Sequence, residues 1–296
     1  MKHESAASIS SMPSMPSIQS IKKAKKMPDA YTRKINKLIR QADRLEDAAV
    51  VRALKILEAA RRDVAAAVAS TEWQLYYLPQ LKAAIERALT DFGLKYGIEL
   101  REAQKRFWDA GIDMVDLPIR AVGLVQALPA IDITALSVLQ GFSTDLVTGL
   151  SKAAIDRISR QVTLGLMGQK TPYAVMGEIG RNLKSKSIFK SIAERAEVIT
   201  RTEAGRALEA AGQARKEQWA KEIPGLKKRW HYGHSPRMPR TGHVAIAGQT
   251  RAVDKFFDVA GEKLMYPKDP RGSAKNTIRC GCKSIVWHDD WEKLAA

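Results

Sequence analysis

Apolar side chains recur at steps of three and four along the first part of the chain, at Ile35, Leu38, Ala42, Leu45, Ala49, Ala53, Leu57, Ala60, Val64 and Ala67. Steps of that size line one face of a helix. No glycine or proline interrupts the run between Pro28 and Pro79, so the pattern predicts a rod of about 60 Å at 1.5 Å per residue. The alanines in the stripe allow a second helix to approach closely. Spacing predicts that helix from about Gln80 to Trp108, bent near Gly93 and Gly97 and antiparallel to the first. Residues 111–132, with Pro118, Gly123 and Pro129, read as a connector. Helical spacing resumes near Thr134 and again from Ser143 to about Leu166, and Gly168 stops it. Thr171-Pro172 then restarts a helix, because Thr is a good N-cap and Pro is tolerated at the first helical position. A long helix follows from about Ser187 to Glu222 and ends at Pro224-Gly225.

The pattern changes after residue 225. Prolines, glycines and histidines (His231, His234, His243, His288) cluster between short β-like runs at Lys228–His231, His243–Ala247 and Thr277–Trp287. The predicted fold class is therefore mainly α, with long antiparallel helices followed by a small C-terminal α+β domain. The expected division is an arm at 1–28, a helical body at 29–160, and a domain at 161–296. That last domain comprises helices within 171–222 and a small β-containing unit at 226–296.

Charge adds a partner class. The 296 residues carry a net charge of +17, and 45% of them are hydrophobic, enough for a real core. Such a balance favours a polyanionic partner or an acidic protein surface. Residues 1–28 are rich in Ser, Met and Pro and hold Lys22, Lys23, Lys25 and Lys26, which reads as a disordered basic arm. Between Ile223 and Val253 there is no acidic residue, while Lys227, Lys228, Arg229, Arg237, Arg240 and Arg251 are interleaved with Trp230 and Tyr232. A patch of this kind neutralises phosphates and stacks on bases, or docks on an acidic protein. Met1–Ser20 lacks the apolar core of a secretory leader, and Ala121–Leu150 is too interrupted, by Pro129, Asp132 and Asp145, for a membrane span.

Both cysteines, Cys280 and Cys282, lie at the end of a loop shaped by Pro267, Pro270, Gly272 and Gly281. A bridge between them would close a small, strained ring. Three readings stay open. With His243 they form a soft ligand set, completed as a zinc site by His231, His234 or His288, although a single intervening residue is atypical of structural zinc pairs. Alternatively, His243 activates one thiol as a nucleophile. Otherwise the thiols pack as small hydrophobes. There is no Gly-rich phosphate loop, no H-E-x-x-H and no dinucleotide fingerprint, so no enzyme signature stands out.

From near Leu164 to about Val286 the chain resembles the head-morphogenesis family of phage minor head proteins, whose members include protein F of phage Mu. The resemblance runs through Thr171-Pro172-Tyr173 and then Ala196-Glu197-Val198-Ile199-Thr200-Arg201-Thr202-Glu203, whose Arg-Thr-Glu is a family hallmark. It continues with Trp230, Arg240-Thr241-Gly242-His243, Gly261-Glu262, Leu264-Met265-Tyr266-Pro267, Asp269-Pro270, Asn276 and Arg279-Cys280-Gly281-Cys282. Many members close on Asn-Cys-Arg-Cys, where this chain reads Ile-Arg-Cys-Gly-Cys. The resemblance implies a component of the virion or procapsid, present in few copies. It would associate with the portal protein and with capsid or scaffold components, and act in head assembly or DNA entry and exit. In that setting the named residues act structurally. Arg201, Thr202, Glu203, Trp230, Arg240, His243, Asp269, Pro270, Cys280 and Cys282 are expected to converge in one knot between the long helix and the β-containing unit, with Asp269 capping its own loop and His243 beside the thiols. The rival expectations are a nucleic-acid-acting enzyme, a nuclease or transferase, using His243, Arg240, Glu203 and the cysteines, and a zinc-stabilised DNA-binding module in the C-terminal domain.

Overall fold

The computed structural model describes residues 29–70, 72–233 and 239–291. The expected basic arm at 1–28, Arg237 and His234 lie outside the described residues. Five helices make the body: α1 (Asp29–Ser70), α2 (Leu78–Ala121), α3 (Thr134–Leu166), α4 (Pro172–Ile179) and α5 (Ile188–Glu222). Next come β1 (Lys227–His231), the one-turn helix α6 (Thr241–Ala245), β2 (Thr250–Ala252), β3 (Phe257–Val259), β4 (Glu262–Leu264), the short helix α7 (Ala274–Thr277) and β5 (Lys283–Trp287). The chain is thus mainly helical with a small C-terminal sheet region. Among the described residues, no helix is long and apolar enough to cross a membrane.

The predicted stripe on α1 is buried at Ile35, Leu38, Ala42, Ala49, Ala53, Leu57, Ala60 and Val64, with Leu45 and Ala67 half-buried beside it. The helix stops at Ser70, just past the last stripe position, and a short 3-10 turn (Leu75–Tyr77) leads into α2. The starts of α4 and α5 follow the capping rules. Thr171 Oγ1 accepts from Ala174 N at 3.2 Å, with Pro172 in the first turn, and Ser187 Oγ accepts from Lys190 N at 3.2 Å. Pro224 and Gly225, the latter at φ 82°, follow the end of α5.

Two expectations about the helices are corrected. α2 does not end at Trp108 but continues through Gly111 and Pro118 to Ala121, so the connector shrinks to residues 122–133. Proline normally breaks a helix interior. Here Met114, Val115 and Ile119 continue the apolar face into the core shared with α5, and burial outweighs local propensity. Likewise α3 is one helix from Thr134 onward. The boundary expected between 160 and 161 therefore falls inside α3.

One apolar cluster joins the second half of α1, the first half of α2, and α3, α4 and the start of α5. A second joins the start of α1, the end of α2, the C-terminal part of α5 and strand β5. A third, small cluster belongs to the cap: Trp230, Ile246, Phe257, Val259, Leu264, Cys280 and Cys282. Strands β2, β1 and β5 form an antiparallel sheet in that order, and β3 and β4 pair as a separate hairpin. The predicted strand at 243–247 is instead covered largely by α6, and Thr277 ends α7, so the last strand begins only at Lys283. Tyr31 at the start of α1 donates its hydroxyl to the Val286 carbonyl and packs on Trp291 with ring centroids 5.4 Å apart. The first helix is thereby tied to the last strand.

Helices α2 and α5 meet at Gly111, where an added Cβ would lie 2.2 Å from the Leu208 carbonyl oxygen. Gly149, on α3, has nothing within 4 Å of the same position. Alanine gains about 1 kcal/mol of helix propensity over glycine at either site, but overpacking against the backbone of a second helix typically costs about 1–3 kcal/mol, occasionally more. In urea unfolding, Gly149→Ala is expected to stabilise by about 0.5–1 kcal/mol. Gly111→Ala is expected to destabilise by at least about 1 kcal/mol. Equal effects at the two sites would contradict this account of the crossing.

Candidate functional site

The residues singled out by sequence form two adjoining clusters on α5 and the cap. In the first, the Arg201-Thr202-Glu203 segment receives two loops of the cap. Lys268 crosses α5 at Gly205, where a Cβ would lie 1.9 Å from its Nζ. Its ammonium donates to the Arg201 carbonyl at 3.0 Å and sits 3.6 Å from Glu46 of α1. Arg206 Nε donates to the Lys268 carbonyl at 3.3 Å. The Arg279 N–H donates to Thr202 Oγ1 at 3.3 Å. Lys268 and Arg279 both have left-handed backbones, φ 65° and 54°, a conformation that costs a non-glycine residue energy unless the surroundings hold it. The Arg-Thr-Glu segment supplies part of that hold.

The other two side chains of the segment turn elsewhere. Arg201 pairs with Glu46 (2.8 Å), Asp47 (3.0 Å) and Glu197 (2.9 Å), clamping α1 to α5. Burial pushes the Glu46 carboxyl up, but Lys268, Lys283 and Arg201 outweigh it and hold the group below the usual range. Glu203 is buried and pairs with Arg206 at 2.7 Å. Burial raises its carboxyl despite that partner.

In the loop between β4 and α7, Asp269 is buried and caps its own turn as expected. It accepts from Met265 N at 2.7 Å and Arg271 N at 3.0 Å, and pairs with the Arg271 guanidinium at 2.8 Å. Pro270 beside it is exposed.

The second cluster surrounds His243, which α6 points inward. Nδ1 lies 3.4 Å from Cys280 Sγ and 3.5 Å from Cys282 Sγ, and both thiols are free. All three side chains are at most 3% exposed. The three candidate ligand atoms lie within 4.8 Å of one another. The imidazole's tautomer follows from its neighbours. The Val259 carbonyl can only accept, so Asn276 turns its amide nitrogen to it (3.3 Å) and its oxygen to His243 Nε2 (3.3 Å). An amide oxygen accepts, so in neutral imidazole the proton sits on Nε2 and the Nδ1 lone pair faces the sulfurs. Arg240 fixes the chain around Asn276 by donating to the Asn276 carbonyl at 3.2 Å and to the Ile278 carbonyl. Trp230 packs edge-on against His243, ring centroids 5.5 Å apart. Its buried indole N–H has no nitrogen or oxygen partner among the described residues, and it favours the ionised Cys282 sulfur, as does the Gly233 N–H. The Cys282 thiol, then His243 and Lys268, hold Cys280 well below its usual range against burial, and Cys282 is pushed above its own.

Other expected members stand apart. His288 is engaged at both ring nitrogens, by the Pro224 carbonyl (3.0 Å) and the Asp290 N–H (2.9 Å). His231 is not in the group of three. The expected phosphate-binding patch is corrected at Lys228. Its side chain is fully buried, with Nζ 2.7 Å from the Met265 carbonyl and 5.3 Å from the Phe257 ring centroid, out of reach of a nucleic acid. Lys227 pairs with Asp289, and Arg229 stacks on Trp287 with its guanidinium 4.7 Å from the ring centroid. Arg251 donates to the Thr250 carbonyl at 3.2 Å.

Sequence reasoning missed a buried polar seam along the same helix. Glu209 accepts from Ser284 N at 3.0 Å, and Lys216 donates to the Ser284 carbonyl at 2.7 Å. Gln213 donates to the Val253 carbonyl at 2.9 Å. Burial pushes Glu209 up and Lys216 down, against their mutual attraction. Nothing in the pattern marks these charges as internal. Asn276 was quoted in the resemblance, but its bond to His243 depends on the folded loop.

No protein-family model matches the chain, and no solved structure matches it. A stretch of 92 residues, 30% of the chain, is 34% identical to an uncharacterized protein, YqbB, of Bacillus subtilis (strain 168). The match spans 29% of that relative's length, so the chain covers well under two thirds of it.

Burial, then the neighbouring Lys216, lowers the Lys228 ammonium to about 7. Between that value and the unfolded lysine value the unfolded chain binds more protons, so stability rises with pH over this window. One such group gives at most about 1.4 kcal/mol per pH unit. Urea midpoints of the parent chain are expected to climb from pH 7 to 9, and Lys228→Met is expected to climb less steeply. Identical slopes would show that Lys228 keeps its proton in the folded chain.

Proposed function

We propose that the chain is a minor capsid protein of a tailed phage, a structural component that docks on the portal and serves head assembly or the passage of DNA. The observation that carries this reading is where the motif residues lie. Trp230, His243, Asp269, Cys280 and Cys282 are each at most 3% exposed, and Thr202, Arg206 and Gly205 take part in holding the cap to α5. Residues that turn over a polymeric substrate must reach it, whereas residues that fix a fold need only reach each other. The motif therefore fits a scaffold better than a nuclease or transferase. A net charge of +17 suits an anionic partner, whether packaged DNA or an acidic portal surface. A helix of 42 residues, about 60 Å long, gives the body the reach to lie along a large ring.

The test is composition. Heads and DNA-free procapsids purified from producing cells are expected to contain the full chain in few copies, and the chain is expected to co-purify with the portal protein from dissociated procapsids. Its absence from both particles, or rapid processing of nucleic acid by the purified chain, would overturn the proposal.

A further inference from the structure

We propose that His243, Cys280 and Cys282 bind one zinc ion, through Nδ1 and the two sulfurs. Four observations point to it, and none depends on the phage reading.

The first is spacing. In tetrahedral zinc sites, Zn–S bonds of about 2.3 Å and Zn–N bonds of about 2.05 Å put nitrogen and sulfur about 3.6 Å apart. The structure places Nδ1 3.4 and 3.5 Å from the two sulfurs, so a metal needs little rearrangement to enter. The second is the tautomer. Asn276, itself fixed by the Val259 carbonyl, holds the Nε2 proton. This is the outer partner that metal-bound histidines ordinarily have, and it orients the ring and presents the other nitrogen as a ligand. The third is the surroundings of the sulfurs. Among the described residues the Trp230 indole N–H is buried with no nitrogen or oxygen partner and lies beside the cluster, and donors near thiolate ligands are typical of such shells. The fourth is softness. Two thiols and one imidazole form a set that suits zinc rather than calcium or magnesium, which take oxygen ligands.

On binding, both sulfurs end as thiolates, any proton they hold goes to solvent, and no electron is transferred. The dication and two thiolates cancel in charge, so the cap's small core gains no net charge. The three protein ligands leave the fourth tetrahedral position to a further donor. The metal would join α6 to the turn before β5 across separations of 37 and 39 residues.

The full-length chain, purified under reducing conditions without chelator, is expected to hold about one zinc per chain by elemental analysis. Reconstituted with cobalt(II), it is expected to show thiolate-to-cobalt charge transfer and the intense visible bands of a tetrahedral site. Cys282→Ser should lose both. Should that variant fail to fold, Asn276→Ala keeps all three ligands and is expected to bind zinc about 10- to 100-fold more weakly in competition with a chromophoric chelator. A folded, metal-free chain that gives only the pale spectrum of hydrated cobalt would overturn the proposal and leave the thiols as hydrogen-bond partners of His243. Unchanged affinity in Asn276→Ala would overturn the role of the outer partner. The portal assay reads neither quantity, so the two proposals fail separately.

Discussion

Strand β5 lies at the edge of its sheet, and an edge strand leaves a row of backbone N–H and C=O groups to satisfy. Ser284 faces Trp230 of β1, but Trp230 spends its own backbone groups on Gln249 and Gly248 on the other side. The pair is therefore of the kind that exchanges no hydrogen bonds, and Ser284 must find partners outward. It finds Glu209 and Lys216, seven residues apart on α5, one accepting its N–H and the other donating to its carbonyl. Two side chains thus do what a neighbouring strand would do. That contact ties the free edge of the sheet to α5, because β5 pairs on its other side with the central strand β1, and Cys282 stands immediately before β5.

The same helix repeats the device near its middle. Backbone at Lys268 and Arg279 is left-handed without glycine, and α5 answers with the Thr202 hydroxyl and the Arg206 guanidinium. Buried ion pairs add little net stability, because desolvation cancels most of the attraction, but removing one partner strands a charge. A seam of this kind is better understood as fixing one arrangement of cap on helix than as a reservoir of binding energy. The apolar contribution comes instead from the second core, where Trp219, Ile285, Val286 and Trp291 pack.

The parts of the fold that could be read from sequence are those whose signal is local. The α1 stripe, the Thr171 and Ser187 caps, and the stop at Pro224-Gly225 each need only a few neighbouring residues to specify them. The grouping of His243 with the thiols was also legible, because few other side chains of that chemistry exist in the cap. The continuation of α2 through Pro118 was not, since the deciding contacts are made by Met114, Val115 and Ile119 with a helix nearly a hundred residues later. Over five residues, α6 offers too short a run to separate helical from alternating periodicity. The β3–β4 hairpin did carry a readable signal: Phe257, Val259 and Leu264 are buried while Asp258 and Lys263 are exposed, around a turn at Ala260-Gly261 with positive φ at both residues. Lys228, Glu209 and Lys216 carried none, because a charge on a helix or strand ordinarily marks its solvent face.

The size of the cap explains why its motif residues are polar, aromatic and sulfur-bearing where a larger domain would use aliphatic side chains. Its own buried apolar cluster consists of Trp230, Ile246, Phe257, Val259, Leu264 and the two cysteines. A core so small cannot offset the entropy of ordering the loops around it. Small units meet this deficit with a staple or with a surface borrowed from a larger neighbour. The cap does the second visibly, through α5 and through Tyr31 of α1, and the His243–Cys280–Cys282 cluster stands where the first would have to be. Both devices act on the turn at 278–282, since Arg240 and Thr202 hold its backbone from opposite sides. Thr202, Arg240 and Arg279 thus hold the turn of a sparse-cored cap, while Arg206, Glu209 and Lys216 of the same long helix hold the backbone on either side of it.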